Sequence, residues 1–74
     1  MTLEKKVLLL GIYTKEDNET IKDVLIKLEE TGMFTFKEAK KLFKELKEDN
    51  LIQDNGLTLA GIEEAKIIEQ EFKL

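Results

Sequence analysis

The sequence predicts a mainly α-helical domain with one small β-hairpin: three helices, the hairpin, then a closing helix. Three observations carry this. Apolar residues recur at helical spacing through most of the chain. Thr35-Phe36-Lys37-Glu38 has the reciprocal capping pattern that opens a helix. Asn55-Gly56 joins two short β-prone runs, the strongest local hairpin signal, because a type I′ turn needs two positive φ angles. There is no Pro, so the four Gly at 11, 32, 56 and 61 act as the punctuation.

Leu3 to about Tyr13 forms the first element. Leu3, Val7, Leu8, Leu9, Leu10, Ile12 and Tyr13 point all round a helical wheel, a pattern shared by buried helices and short buried strands. Leu-rich composition and the Glu4-Lys5-Lys6 start favour a helix. Asp17 or Asn18 is the expected cap of a second helix reaching about Glu30, with Gly32 as its stop. Ile21, Val24, Leu25 and Leu28 share its inner face, and Ile26 falls outside it as a second contact surface or an exposed residue.

The third helix starts after Thr35 and ends near Asp49-Asn50. Phe36, Ala39, Leu42, Phe43 and Leu46 fall within an arc of roughly 120°, a core-facing stripe. Leu51-Ile52-Gln53 and Leu57-Thr58-Leu59 are the two hairpin runs around Asp54-Asn55-Gly56. Ala60 to Phe72 closes the chain as a helix, with Ile62, Ala65, Ile68 and Phe72 on one side and Ile67 opposite. The expected core is Phe36, Leu42, Phe43, Leu46, Leu28 and Ile62.

Seventy-four residues make a single domain, 1–74, that buries only about 60–65% of its unfolded surface. Scaffolds this small recruit disulfides, a metal or a partner chain. With neither Cys nor His, disulfides and soft-ligand zinc or copper sites are excluded, leaving tight packing or oligomerisation. Met1 to Tyr13 faintly resembles the basic and apolar regions of a signal peptide, but the chain runs on into Thr14-Lys15-Glu16-Asp17 with no small-residue cleavage site. The apolar run falls far short of the roughly 20 residues that span a bilayer. A cytoplasmic location with no membrane partner is the expectation.

Residues 35–64 resemble the core of winged helix-turn-helix proteins. Ala39-Lys40-Lys41-Leu42-Phe43-Lys44-Glu45-Leu46-Lys47-Glu48-Asp49-Asn50-Leu51-Ile52 looks like the family's third helix running into its wing. Asp54-Asn55-Gly56 looks like the wing tip, although that tip is commonly basic and here carries an acid. Leu57-Thr58-Leu59-Ala60-Gly61 resembles the Leu-Thr-x-x-Gly exit of many bacterial and archaeal members. The resemblance implies three helices, a two-stranded wing and a C-terminal helix, with the third helix offered to the DNA major groove.

Nucleophilic catalysis has little to stand on without His, Cys or Ser, and Glu29-Glu30 and Glu63-Glu64 read as solvated helix faces. Asp49, Asp54 and Asn55 do not fit the calcium-loop spacing, and no Gly-rich phosphate loop is present. No enzyme and no cofactor is expected. The constellation that stands out is Lys37, Lys40, Lys41, Lys44 and Lys47, which share a second arc of roughly 120° opposite the apolar face of the third helix. Lys37–Lys41 and Lys40–Lys44 are like charges four apart, each costing about a few tenths of a kcal/mol. A purely structural face alternates signs more often.

The expected role is therefore a DNA-binding transcriptional regulator or accessory factor. Lys37, Lys40, Lys41 and Lys44 would make the contacts to double-stranded DNA, with Thr35 and Lys47 nearer the backbone. The alternative is a protein–protein interaction module on the same scaffold. It draws on twelve Lys with no Arg facing sixteen acids, a net charge of −4, because Arg is the preferred reader of guanine. Leu8, Leu9, Ile26, Ile67 and Leu74 look like more hydrophobe than one small core can take. A homodimer formed by the first and last helices through Leu8, Leu9, Ile67 and Leu74 follows as an expectation.

Overall fold

The computed structural model describes residues 1–53 and 56–73. Its order is α1 (Leu3–Thr14), α2 (Ile21–Glu30), α3 (Phe36–Glu48), β1 (Ile52–Gln53), β2 (Gly56–Leu57) and α4 (Leu59–Phe72). The chain is thus mainly helical with one small antiparallel sheet. No helix among the described residues is long and apolar enough to cross a membrane.

A threonine opens every helix, because its short hydroxyl reaches a free N–H of the first turn. Thr2 accepts from the Lys5 N–H, Thr20 from Asp23, Thr35 from Glu38 and Thr58 from Gly61. Two of these caps are reciprocal. The Asp23 carboxylate accepts from the Thr20 N–H at 2.9 Å, and Glu38 accepts from Thr35 at 3.0 Å. The cap of α2 is therefore Thr20 and not Asp17 or Asn18. Its Thr-x-x-Asp pattern is a shorter version of Thr-x-x-Glu, and Asp reaches back as well as Glu does.

α1 is the centre of the molecule. It packs against α2, α3, α4 and β2, so a helix apolar on every side finds partners on most of them. Leu8 and Leu9 are 0% exposed, as are Leu46 of α3 and Ile68 of α4. This corrects the reading of Leu8 and Leu9 as surplus available to a second chain: three helices enclose them within the protomer. It also moves the centre of the core. Of the residues expected there, Leu46 is fully buried. Leu28, Phe36, Leu42 and Phe43 pack half-buried against the cluster, and Ile62 is likewise half-buried. Phe72, placed on the inner side of α4 by its spacing, is 41% exposed.

Two connections fix how α3 sits. Between α2 and α3 the chain reverses over five residues, with Gly32 at φ 78°, a left-handed conformation that glycine adopts at least cost. The Glu29 carboxylate at the end of α2 accepts from the Phe36 N–H at 3.0 Å, tying the two helices together across the turn. After α3, Asn50 takes φ 62° and the chain enters the hairpin, where Ile52 pairs with Leu57 and Gln53 with Gly56. Gly56 is therefore a ladder residue, not a central turn residue as the Asn-Gly reading had it. Asp54 and Asn55 lie outside the described residues.

The Leu57-Thr58-Leu59-Ala60-Gly61 run has a structural reason. The Thr58 hydroxyl donates to the Asn50 carbonyl at 2.6 Å while accepting from Gly61 at 3.0 Å, and the Thr58 N–H donates to Leu51 at 3.1 Å. One residue thereby joins the end of α3, the entry to the hairpin and the start of α4. Gly61 is required by close approach: a Cβ there would lie 1.9 Å from the Leu51 carbonyl oxygen.

Candidate nucleic-acid interface

α3 divides sharply. Ala39 and Leu46 are buried, Phe36, Leu42 and Phe43 are half-buried, and Lys37, Lys40, Lys41, Lys44 and Lys47 are all exposed. The five lysines stand on the outer face at the helical spacing that put them in one arc. The capping box holds the first turn of this face in place, and Thr35 itself is exposed at its N-terminal end.

Acids on the same helix are largely committed elsewhere. Glu38 turns back to cap the helix. The Thr35 N–H, and then its hydroxyl, hold the Glu38 carboxyl below the ordinary Glu range. Glu45 and Asp49 sit on the flank facing α1, where the Lys5 ammonium lies 3.2 Å from Glu45 and 3.6 Å from Asp49. The hydrogen bond to Glu45, ahead of the charges of Glu45 and Asp49, raises the Lys5 pKa above its ordinary value, against an opposing cost of burial. Lys5 was not singled out in the sequence because its partners are forty residues away, and only the α1–α3 packing brings them together. It offsets the two flank acids, whereas exposed Glu48 falls inside the lysine arc itself, between Lys37 and Lys41 on the helical wheel. In a chain of net charge −4, this face is a local reversal of sign.

Lys40 has a second contact. Its Nζ lies 5.8 Å from the centroid of the Phe36 ring, within cation–π range, so this side chain leans toward α2. Beneath it, Ile21, Lys22 and Leu25 of α2 face Phe36, Lys40 and Phe43 of α3 across a groove of about 450 Å³. This groove is not legible in the sequence. The spacing of 21 and 25, and of 36, 40 and 43, marks one stripe on each helix, but nothing in a linear pattern says that the stripes oppose each other.

Of the residues expected at a dimer interface, Leu8 and Leu9 lie in the core, Ile67 is 55% exposed on α4, and Leu74 lies outside the described residues. Ile26 is also exposed, on the far side of α2 from its buried Val24 and Leu25. The comparisons with protein-family models, with curated proteins and with solved structures found no match for this chain.

Proposed function

We propose that the chain is a winged helix-turn-helix protein that binds double-stranded DNA through α3, acting as a transcriptional regulator or accessory factor. The observation that carries this reading is the exposed lysine face of α3 in an otherwise acidic protein. The order helix, turn, helix, hairpin, helix is consistent with it, as is the tie from Glu29 to Phe36 that presents α3 as a fixed second helix. Lys37, Lys40, Lys41 and Lys44 are assigned phosphate contacts and electrostatic steering, with Thr35 and Lys47 at the margins. Lysine is a point charge without the bidentate fork of Arg, so the expected mode is backbone-dominated and weakly sequence-selective.

Fluorescence anisotropy with a labelled duplex at low and at physiological salt tests this. Binding should weaken steeply with salt and disappear in Lys40→Glu/Lys44→Glu. No binding at low salt would favour the competing reading, an interaction module for proteins, which draws on the net acidity and the absence of Arg.

A homodimer remains part of the proposal in a narrower form. With Leu8 and Leu9 inside the protomer, the surface left to a second copy is the outer side of α4, where Ile67 is exposed. Such a pairing would set two α3 helices for adjacent half-sites. Light scattering at high concentration gives the mass directly, and Ile67→Glu should halve it.

A further inference from the structure

We propose that the groove between α2 and α3 is a docking site for an acidic amphipathic segment of a partner protein. This goes beyond the DNA-binding reading and does not rest on it. Three properties of the groove lead there. Its floor is apolar: Leu25 is 6% exposed, and Ile21, Phe36 and Phe43 are half-buried, an apolar lane the protomer leaves partly uncovered. Among the described residues, the charged ones lining it are Lys22 on one wall and Lys40 on the other.

Of the acids nearby, Asp23 stands beside Lys22 and offsets part of its charge. Asp23, next to Lys22, is bound into the cap of Thr20, and its carboxyl is held below the ordinary Asp range by the Thr20 N–H and hydroxyl. Glu29 is held by the Phe36 N–H. Two exposed lysines as the charged lining of an apolar lane favour a ligand that is both apolar and anionic.

The geometry favours a helix as that ligand. Ile21 and Leu25 are one turn apart on α2, and Phe36, Lys40 and Phe43 follow the i, i+4, i+7 spacing on α3. An incoming helix with an apolar stripe can lie along this lane, with its flanking carboxylates meeting the two ammonium groups. The wall is pre-organised, since Phe36 is fixed by the Glu29 hydrogen bond and by the cap at Thr35, so little ordering opposes binding. Lys40 over the Phe36 ring sets a cation at the rim, where a carboxylate can reach it while an apolar side chain covers the ring.

The test is a nuclear magnetic resonance titration of the full chain with two synthetic peptides. Both carry Leu and Phe at i, i+3, i+4 and i+7; one has Asp and Glu elsewhere, the other Lys. The acidic peptide should shift the Leu25 methyl and the Phe36 and Phe43 ring signals, and bind about tenfold more weakly to Lys22→Glu. Lys22 lies on α2, outside the α3 lysine face, and is exposed, so this variant retains the fold and leaves duplex affinity in place. Phe43→Ala should also weaken the acidic peptide. Equal binding of both peptides, or shifts confined to other surfaces, would overturn the proposal. So would a short duplex moving the groove signals while the acidic peptide leaves them still.

Discussion

α1 and α3 handle their hydrophobic residues in opposite ways. α1 is apolar on every side and is enclosed by α2, α3 and α4, so Leu8 and Leu9 lose all contact with solvent. α3 keeps its apolar residues to one arc and turns five lysines outward. The first arrangement supplies the core around which the others pack. The second sets an exposed, cationic helix face outside the core. Hydrophobic excess in a sequence does not by itself mark an interface: its meaning depends on how many neighbours the helix has.

The comparison breaks most easily at the centre. Leu8→Ala in α1 and Leu46→Ala in α3 should each cost about 2–5 kcal/mol, because both side chains are fully enclosed and little can collapse into the space. Urea unfolding measures the loss. Had Leu8 served a second chain, its truncation would change mass more than protomer stability. Gly61→Ala should follow, at about 1–3 kcal/mol, as the new methyl group forces α4 away from the Leu51 carbonyl.

Smaller effects sharpen the account of how α2 and α3 are set. Thr20→Ala and Thr35→Ala should each cost about 1 kcal/mol in thermal or chemical unfolding. Both caps also carry a pH signature. Asp23 and Glu38 have carboxyls lowered in the folded state, mainly by the N–H of Thr20 and of Thr35. Their contribution is complete above the ordinary carboxylate range and is lost as the pH falls through the lowered values. Unfolding followed from neutral to acid pH should show stability draining on that side, and less steeply in the Thr35→Ala protein. At the bottom of the scale, Ile67→Glu should leave protomer stability within about 0.5 kcal/mol, since Ile67 is more than half exposed.

Much of this fold was readable before the structure. The Thr35 capping box, the stripe from Phe36 to Leu46 and the paired hairpin runs are local signals, each complete within a dozen residues. The five lysines were legible for the same reason, being one helix face. What escaped is what depends on two segments meeting. The cap at Thr20 is masked in the sequence by Asp17 and Asn18, which are equally good capping residues a few positions upstream. The burial of Leu8 and Leu9 is hidden in the sequence because the number of helices around α1 is a property of the packing. Lys5 beside Glu45 and the groove floored by Leu25 and Phe43 are likewise products of tertiary contact.

The central claim is that the outer face of α3 meets duplex DNA, and its most direct test is the slope of log K against log salt for duplex binding. Five lysines neutralising phosphates predict a slope of roughly −3 to −4.5, and neutralising Lys40 and Lys44 to Gln should remove about 2 of that. An unchanged slope in the double variant, or no binding by the unaltered chain at low salt, would contradict it.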